Sequence, residues 1–374
     1  LDERLLPAEI ITQADPWARL KTMYAIKRNA RHLTLVGMIV FLGGSLCGEA
    51  PSTENPARSD AHAAEALALS SYKAGDYQTA ERTLREWLAS EPVGSLSHLA
   101  AQSDLGHLLR EEGRNQEAHQ LFAGIIGSPD LPWRIQLNAL TGLADADENS
   151  GDLKTGIDEW NAALDLARTH GDSASESEIL RGLGRAWLST GSMARAEPLL
   201  RRSLQIAEND QAAHPLNLAS SLGAMAEYYR MENKLSLAEE AGSRALSIGQ
   251  AQLGESHPQV AVFMDMMSDV YSAKGEWDTA RDYAVRAENE MRRQLGSRSV
   301  GDAAALAELA LVEQRAKMFE DAALHYDACL SVLRQYSDLQ PVVKLVMRRY
   351  ERVLKELHRR REAKALDAEI KSFR

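Results

Sequence analysis

Cysteine is nearly absent from this 374-residue chain, which has only Cys47 and Cys329. Cys47 lies in a segment expected to be removed or membrane-embedded, so no intramolecular disulfide framework can form. Cys329 falls at a small, inward-facing position of the helical pattern described below and reads as a packing thiol rather than a nucleophile. Aromatic residues make up only 6% of the chain and proline occupies 11 positions, while Ala, Leu and charged residues abound. That composition suits helices packed through small side chains and argues against a sheet protein. Metal and catalytic signatures are missing as well. The ten His are scattered singly, with no HExxH and no Cys pair, so no metal ligand set, cofactor site or catalytic residue is expected. His107, His119, His257 and His325 read as surface or helix-link residues. RGLGRAW at 181–187 lies inside a helical pattern without a preceding strand, so it is not a phosphate loop. DENSGD at 147–152 is too short for a calcium loop and sits at a turn.

Net charge is −11 and unevenly placed. Residues 344–374 carry eleven Lys/Arg against five Asp/Glu, and residues 1–60 balance seven against seven, which leaves about −17 on residues 61–343. An acidic body argues against nucleic acid as the partner, because phosphate contacts need clustered cations. The basic end reads as a solvated helix face.

One long apolar run exists. Met23 opens a segment with Lys27, Arg28 and Arg31 ahead of 14 residues from Leu33 to Leu46. This is the layout of a secretory signal, residues 23–50, with cleavage after Cys47 or Ala50; a signal anchor at 33–46 is the alternative. Residues 1–22 are an uncertain upstream extension, with Met23 as the expected start. Leu46 before Cys47 weakens a lipoprotein reading. The positive charges precede the apolar run, so the rest of the chain is expected outside the cytoplasm, periplasmic or extracellular. Residues 51–60 read as a linker.

From residue 61 a repeat begins. Residues 178–208, EILRGLGRAWLSTGSMARAEPLLRRSLQIAE, read as two amphipathic helices folded back across Gly191. Leu183 and Trp187 lie on the first, and Met193, Leu200 and Leu204 on the second. Gly184, Ala196 and Ser203 are the small residues that let the backbones approach. Equivalent turn residues fall at Gly75, Gly113, Gly151, Gly191, Asn233, Gly275, Lys317 and His358, separated by 38, 38, 40, 42, 42, 42 and 41. Five residues after each comes Ala80, Ala118, Gly156, Ala196, Ala238, Ala280, Ala322 or Ala363. Eight before each sits Leu67, Leu105, Leu143, Leu183, Met225, Met267, Leu309 or Tyr350. Stacked helical hairpins produce this register. Tyr77, Trp277 and Phe319 fill a bulky position just after the turn. Phe122, Trp160 and Tyr326 fill another two turns later, where Gly242 is expected to leave a looser spot near Ala284. Residues 61–340 thus hold seven hairpins, and 341–374 a degenerate eighth that caps the array.

The pieces KAGDYQTAERTLREWLASEP, EEGRNQEAHQLF and STGSMARAEPLLRRSL resemble the tetratricopeptide repeat family. The later 42-residue units, with AQLGESHP at 251–258, resemble the variety found in kinesin light chains. The resemblance implies an all-α, right-handed superhelical solenoid of seven to eight antiparallel hairpins. It also implies a protein or peptide partner held on a concave face lined by first helices. Carried over residue by residue, that face holds Thr141, Asp145, Glu148, Arg181, Arg185, Leu188, Glu227, Arg230, Asp265 and Asp269. Arg181 and Arg185 are four apart and share a helix face, a basic strip between acidic ones. The Lys and Asn with which one subgroup clamps a terminal carboxylate are replaced by Glu65 and Leu69. The expected function is an exported, non-enzymatic scaffold. The alternatives are a self-association module in an envelope assembly, or an enzyme or small-molecule binder built around Asp145, Glu148 and Arg181.

Overall fold

The computed structural model describes residues 56–372, except 74–75, 112–113, 129–130, 296, 298 and 337–338. The export segment, Cys47, Gly75 and Gly113 lie outside the described residues. Those residues form sixteen α-helices and no strand, so the chain is an all-α helical repeat fold. No helix among them is long and apolar enough to cross a membrane.

The chain divides into two bodies at Gly171/Asp172. The first holds three hairpins: α1 (Pro56–Lys73) with α2 (Tyr77–Ser90), α3 (Leu96–Glu111) with α4 (Asn115–Ile126), and α5 (Trp133–Ser150) with α6 (Leu153–Thr169). The second holds five: α7 (Ser173–Ser189) with α8 (Met193–Asn209), α9 (Pro215–Met231) with α10 (Leu235–Leu253), α11 (Pro258–Lys274) with α12 (Trp277–Leu295), α13 (Val300–Arg315) with α14 (Phe319–Leu333), and α15 (Gln340–Glu356) with α16 (Arg360–Ser372). Within each body a hairpin's second helix packs on the first helix of the next. First helices also touch in series, α3 on α5 in the first body, and α7 on α9, α9 on α11 and α11 on α13 in the second. α1 opens at Pro56, inside the segment expected to be a linker; proline suits a helix's first turn, where its missing N–H costs nothing.

Backbone geometry explains the common register. All six described turn residues are left-handed: Gly151, Gly191 and Gly275 at φ 93°, 75° and 80°, and Asn233, Lys317 and His358 at 58°, 63° and 56°. In each, the turn residue's N–H bonds the carbonyl three residues back, and the next N–H bonds the carbonyl four before the turn. Examples are Gly151 to Glu148 and Asp152 to Asp147, and Lys317 to Gln314 and Met318 to Glu313. This closes the last turn of the first helix and reverses the chain. The turn imposes the conformation even on Lys317 and His358, whose side chains resist it. Second helices then start on caps such as Asp76 and Asp152, whose carboxylates accept the N–H of Thr79 and Thr155.

Packing follows the small-to-large rule across each hairpin. A Cβ on Gly184 would meet Leu200 Cδ2 at 2.5 Å, so glycine lets α7 and α8 close on that leucine. Leu84, Phe122, Trp160, Leu200 and Tyr326 occupy the equivalent position, all buried. Gly242 does not leave the expected looser spot. The sulfur of Met267 reaches to 2.6 Å of where its Cβ would stand, and Met266 Cε to 3.3 Å. Flexible methionines of α11 occupy the space the missing side chain vacates. Cys329 is fully buried in the core of α13–α16, and burial pushes its thiol well above the ordinary range. It is a packing group.

Candidate partner-binding face

The polar residues of the first helices divide between contacts inside a hairpin and contacts to the next one. In the first body, Trp160 Nε1 of α6 donates to Glu148 Oε1 of α5 at 2.5 Å. Glu148 is 5% exposed, so this carboxylate holds its own hairpin together. Arg110 at the end of α3 is buried and forms an ion pair with Asp145 of α5. Thr141 Oγ1 donates to the carbonyl of Asn138 on its own helix at 2.9 Å. His107 is buried rather than on the surface, with its ring edge-on to Phe122 at 4.8 Å and Nε2 3.2 Å from Asn138 Oδ1. Asn138 Nδ2 donates to Ser103 Oγ at 2.9 Å, which leaves its Oδ1 to accept and assigns His107 the Nε2–H tautomer. Burial holds that imidazole well below its usual pKa. Burial also raises Glu65 to about 7, and Asp104 beside it well above the carboxylate range.

His119 of α4 reaches Asp147 of α5 at 2.7 Å, and burial raises the Asp147 pKa. Asp152 caps α6. The acidic turn 147–152 is therefore used in holding α4, α5 and α6 together. Glu159, half-buried with the charges of Asp147, Asp152 and Asp158 around it, is pushed by burial above all to about 8.

In the second body, Arg181 and Arg185 share one face of α7 and are 3% and 6% exposed. Arg185 Nε stands 3.7 Å from Glu227 of α9, so the strip meets the acid of the next first helix. Leu188 is buried. Arg230 and Asp269 are half-buried and Asp265 is buried. Eight residues before Gly275, Met267 packs inward beside Gly242. Asp145 and Glu148 are brought together by α5 in the first body. Arg185 and Glu227 are brought together by two helices in the second.

Two polar contacts recur at the same register. Three before the turn and nine after it, Glu148 accepts from Trp160 in the third hairpin and Gln314 from Tyr326 Oη at 2.8 Å in the seventh. Four before the turn and six after the preceding turn, His119 meets Asp147, Tyr271 Oη donates to Glu239 at 2.9 Å, and Arg281 meets Glu313 at 3.1 Å. Glu313, itself fully buried, also pairs with His325 Nδ1 at 2.6 Å. His257 caps α11, its Nδ1 accepting the N–H of Gln259, and burial lowers it to about 4. His107, His119, His257 and His325 thus act in packing, pairing and capping.

The same spacing, continued into the eighth hairpin, selects residues that the sequence reading passed over. Ten, six and three before His358 stand Arg348, Arg352 and Lys355 on α15, all exposed. The offset already used for Thr141 and Arg181 would have found them; the loss of a turn glycine at His358 made that hairpin read as a cap alone.

The sequence profile of the tetratricopeptide repeat family matches residues 217–289, spanning most of α9 to α12. Residues 217–289 carry tetratricopeptide repeats. Solved structures share the tetratricopeptide fold at low identity. NprR in complex with its cognate peptide NprX is 14% identical, with 86% of this chain and 91% of that one covered at a TM-score of 0.53. A Rap protein complexed with competence and sporulation factor is 10% identical, with 86% and 100% covered at 0.53. BtubC from P. vanneervenii is 18% identical, with 59% and 89% covered at 0.51. No curated protein sequence matches the chain significantly.

Proposed function

We propose that the chain is a non-enzymatic interaction scaffold that holds a peptide or helix of another protein against its first helices. The observation that carries this reading is the fold shared over 86% of the chain with NprR bound to its cognate peptide and with a Rap protein bound to competence and sporulation factor. The half-buried polar groups of α9 and α11, Glu227, Arg230 and Asp269, are the contacts assigned to the partner in the second body, and Asp145 that in the first. The basic start and apolar run of residues 23–50 support placing the repeats outside the cytoplasm.

The test is capture of a partner from an envelope extract by the immobilised chain, beside Glu227→Ala/Asp269→Ala of equal helicity. A protein held by the first and lost by the second supports the reading; equal capture by both removes these two residues from it, and capture of nothing by either removes the scaffold itself. For location, a periplasm-dependent reporter fused after residue 60 is expected to be active. An inactive fusion sinks the export assignment.

A further inference from the structure

Several cations on the described helices meet an acid one turn away. Arg85 meets Glu81 at 2.8 Å, Arg201 meets Glu197 at 2.8 Å, Lys154 meets Asp158 at 2.8 Å and Lys371 meets Asp367 at 2.6 Å. α15 carries two cations without such a pair, as α16 does at Arg360 and Lys364. Lys344, Arg348 and Arg352 follow one another at four-residue steps, so Arg348 has a like charge one turn away on either side. Arg348 and Arg352 are exposed and make no ion pair among the described residues. The one side-chain contact there is Arg352 Nε to the carbonyl of Arg348 at 3.4 Å. Glu356, one turn beyond Arg352, is exposed and is not paired with it. Lys355 pairs with Glu351 at 2.6 Å and sits in the last turn, where the helix dipole favours a cation. The dipole does not account for Arg348, two turns earlier.

We propose that the Arg348/Arg352 column of α15 receives a short acidic stretch of the bound partner; this rests on the scaffold reading above. Charge selects the occupant. The column is the complement of carboxylates, and guanidinium groups bind them through paired hydrogen bonds. Its length selects the size. From residue 348 to residue 352 the helix rises ~6 Å, the span of about two extended residues. A long polyanion such as nucleic acid is disfavoured, because the body beyond the column carries about −17 over residues 61–343. The contact is therefore local, at one end of a partner segment, and it fixes which way round that segment lies.

The experiment uses the full chain and twelve-residue synthetic peptides of equal apolar content, graded from six Glu to six Lys, with binding followed by fluorescence anisotropy. The six-Glu peptide is expected to bind at least tenfold tighter than the neutral one. Arg348→Glu/Arg352→Glu, checked for unchanged helicity, is expected to abolish that preference. An acid preference that survives in the variant overturns the proposal. So does binding that ignores charge in both proteins, although that result leaves the scaffold reading standing. Absence of binding at every charge, with no partner captured from the extract, removes both. Light scattering on the same samples covers the remaining occupant: a dimer that the double variant dissolves would give the column to a second copy and overturn the proposal.

Discussion

The third and seventh hairpins, one in each body, solve the same packing problem with different chemistry. Each closes a buried aromatic onto a polar group three residues before its turn. The third uses Trp160 on the carboxylate of Glu148, and the seventh Tyr326 on the amide of Gln314. Each also receives a polar side chain from the hairpin before it at the position four before the turn. In the third, that partner is His119 at 41% side-chain exposure, on Asp147. In the seventh, fully buried Glu313 takes both Arg281 and His325. The register dictates where the polar contact stands, and burial dictates how much it is worth.

The comparison is sharpened first where the burial is deepest. Glu313→Ala is expected to lower unfolding stability by ~3 kcal/mol, the low end for breaking a buried pair, since Arg281 and His325 still reach water. Chemical denaturation measures it, and a loss below about 1 kcal/mol would mean that Glu313 is no better placed than a surface acid. Next, Glu148→Ala is expected to cost about 2 kcal/mol, because the Trp160 N–H is left buried without an acceptor. Tyr326→Phe is expected to cost about 1 kcal/mol, as half-buried Gln314 can turn to water instead. Asp147→Ala should cost under ~1 kcal/mol, since the partly exposed His119 can turn to water. An equal loss in Glu313→Ala and Asp147→Ala would break the comparison.

One half-buried group in each body is expected to contribute to the pH dependence with opposite sign. Glu159 in the first is raised from 4.5 to about 8 by burial. The native state holds its proton more tightly, so its contribution to stability is present below pH 4.5 and lost as pH rises to 8. His257 in the second is lowered from 6.5 to about 4 by burial. Its contribution is present above 6.5 and lost as pH falls to 4, where protonation removes the cap on Gln259 N–H. Glu159→Gln should therefore gain melting temperature over the parent as pH goes from 5 to 8. His257→Asn, which keeps a capping oxygen, should gain as pH goes from 6.5 to 4. Parallel melting curves for parent and variant across these windows would remove either assignment.

The turn register was legible in the sequence even where glycine was missing, because Asn233, Lys317 and His358 hold the spacing that the hairpin geometry demands. The small-against-large pairs were legible for the same reason. What a polar side chain meets was not. Spacing assigns Glu148 and Asp145 to a helix face. Only the structure shows that Trp160 of the same hairpin takes the first and Arg110 of the preceding hairpin the second. Those contacts depend on the roll of one helix against its neighbour, which a one-dimensional pattern does not record. Gly242 failed for a related reason. Whether an absent side chain leaves a void depends on which flexible neighbour reaches it, and Met267 does.

Three of the polar contacts between hairpins, His119–Asp147, Arg110–Asp145 and Arg281–Glu313, join residues 28, 35 and 32 apart in sequence. Each is shorter than one repeat. A growing chain can therefore complete each of them as soon as the next hairpin emerges, without waiting for its far end. At about 5–20 residues per second a repeat arrives roughly every 2–8 s, while helix and loop formation take microseconds or less. Within each body, an emerging hairpin meets a finished surface that already presents its particular polar partner. The order of hairpins is thereby written into the surfaces themselves, so exchanging two of them would leave buried groups such as Glu313 facing a stranger.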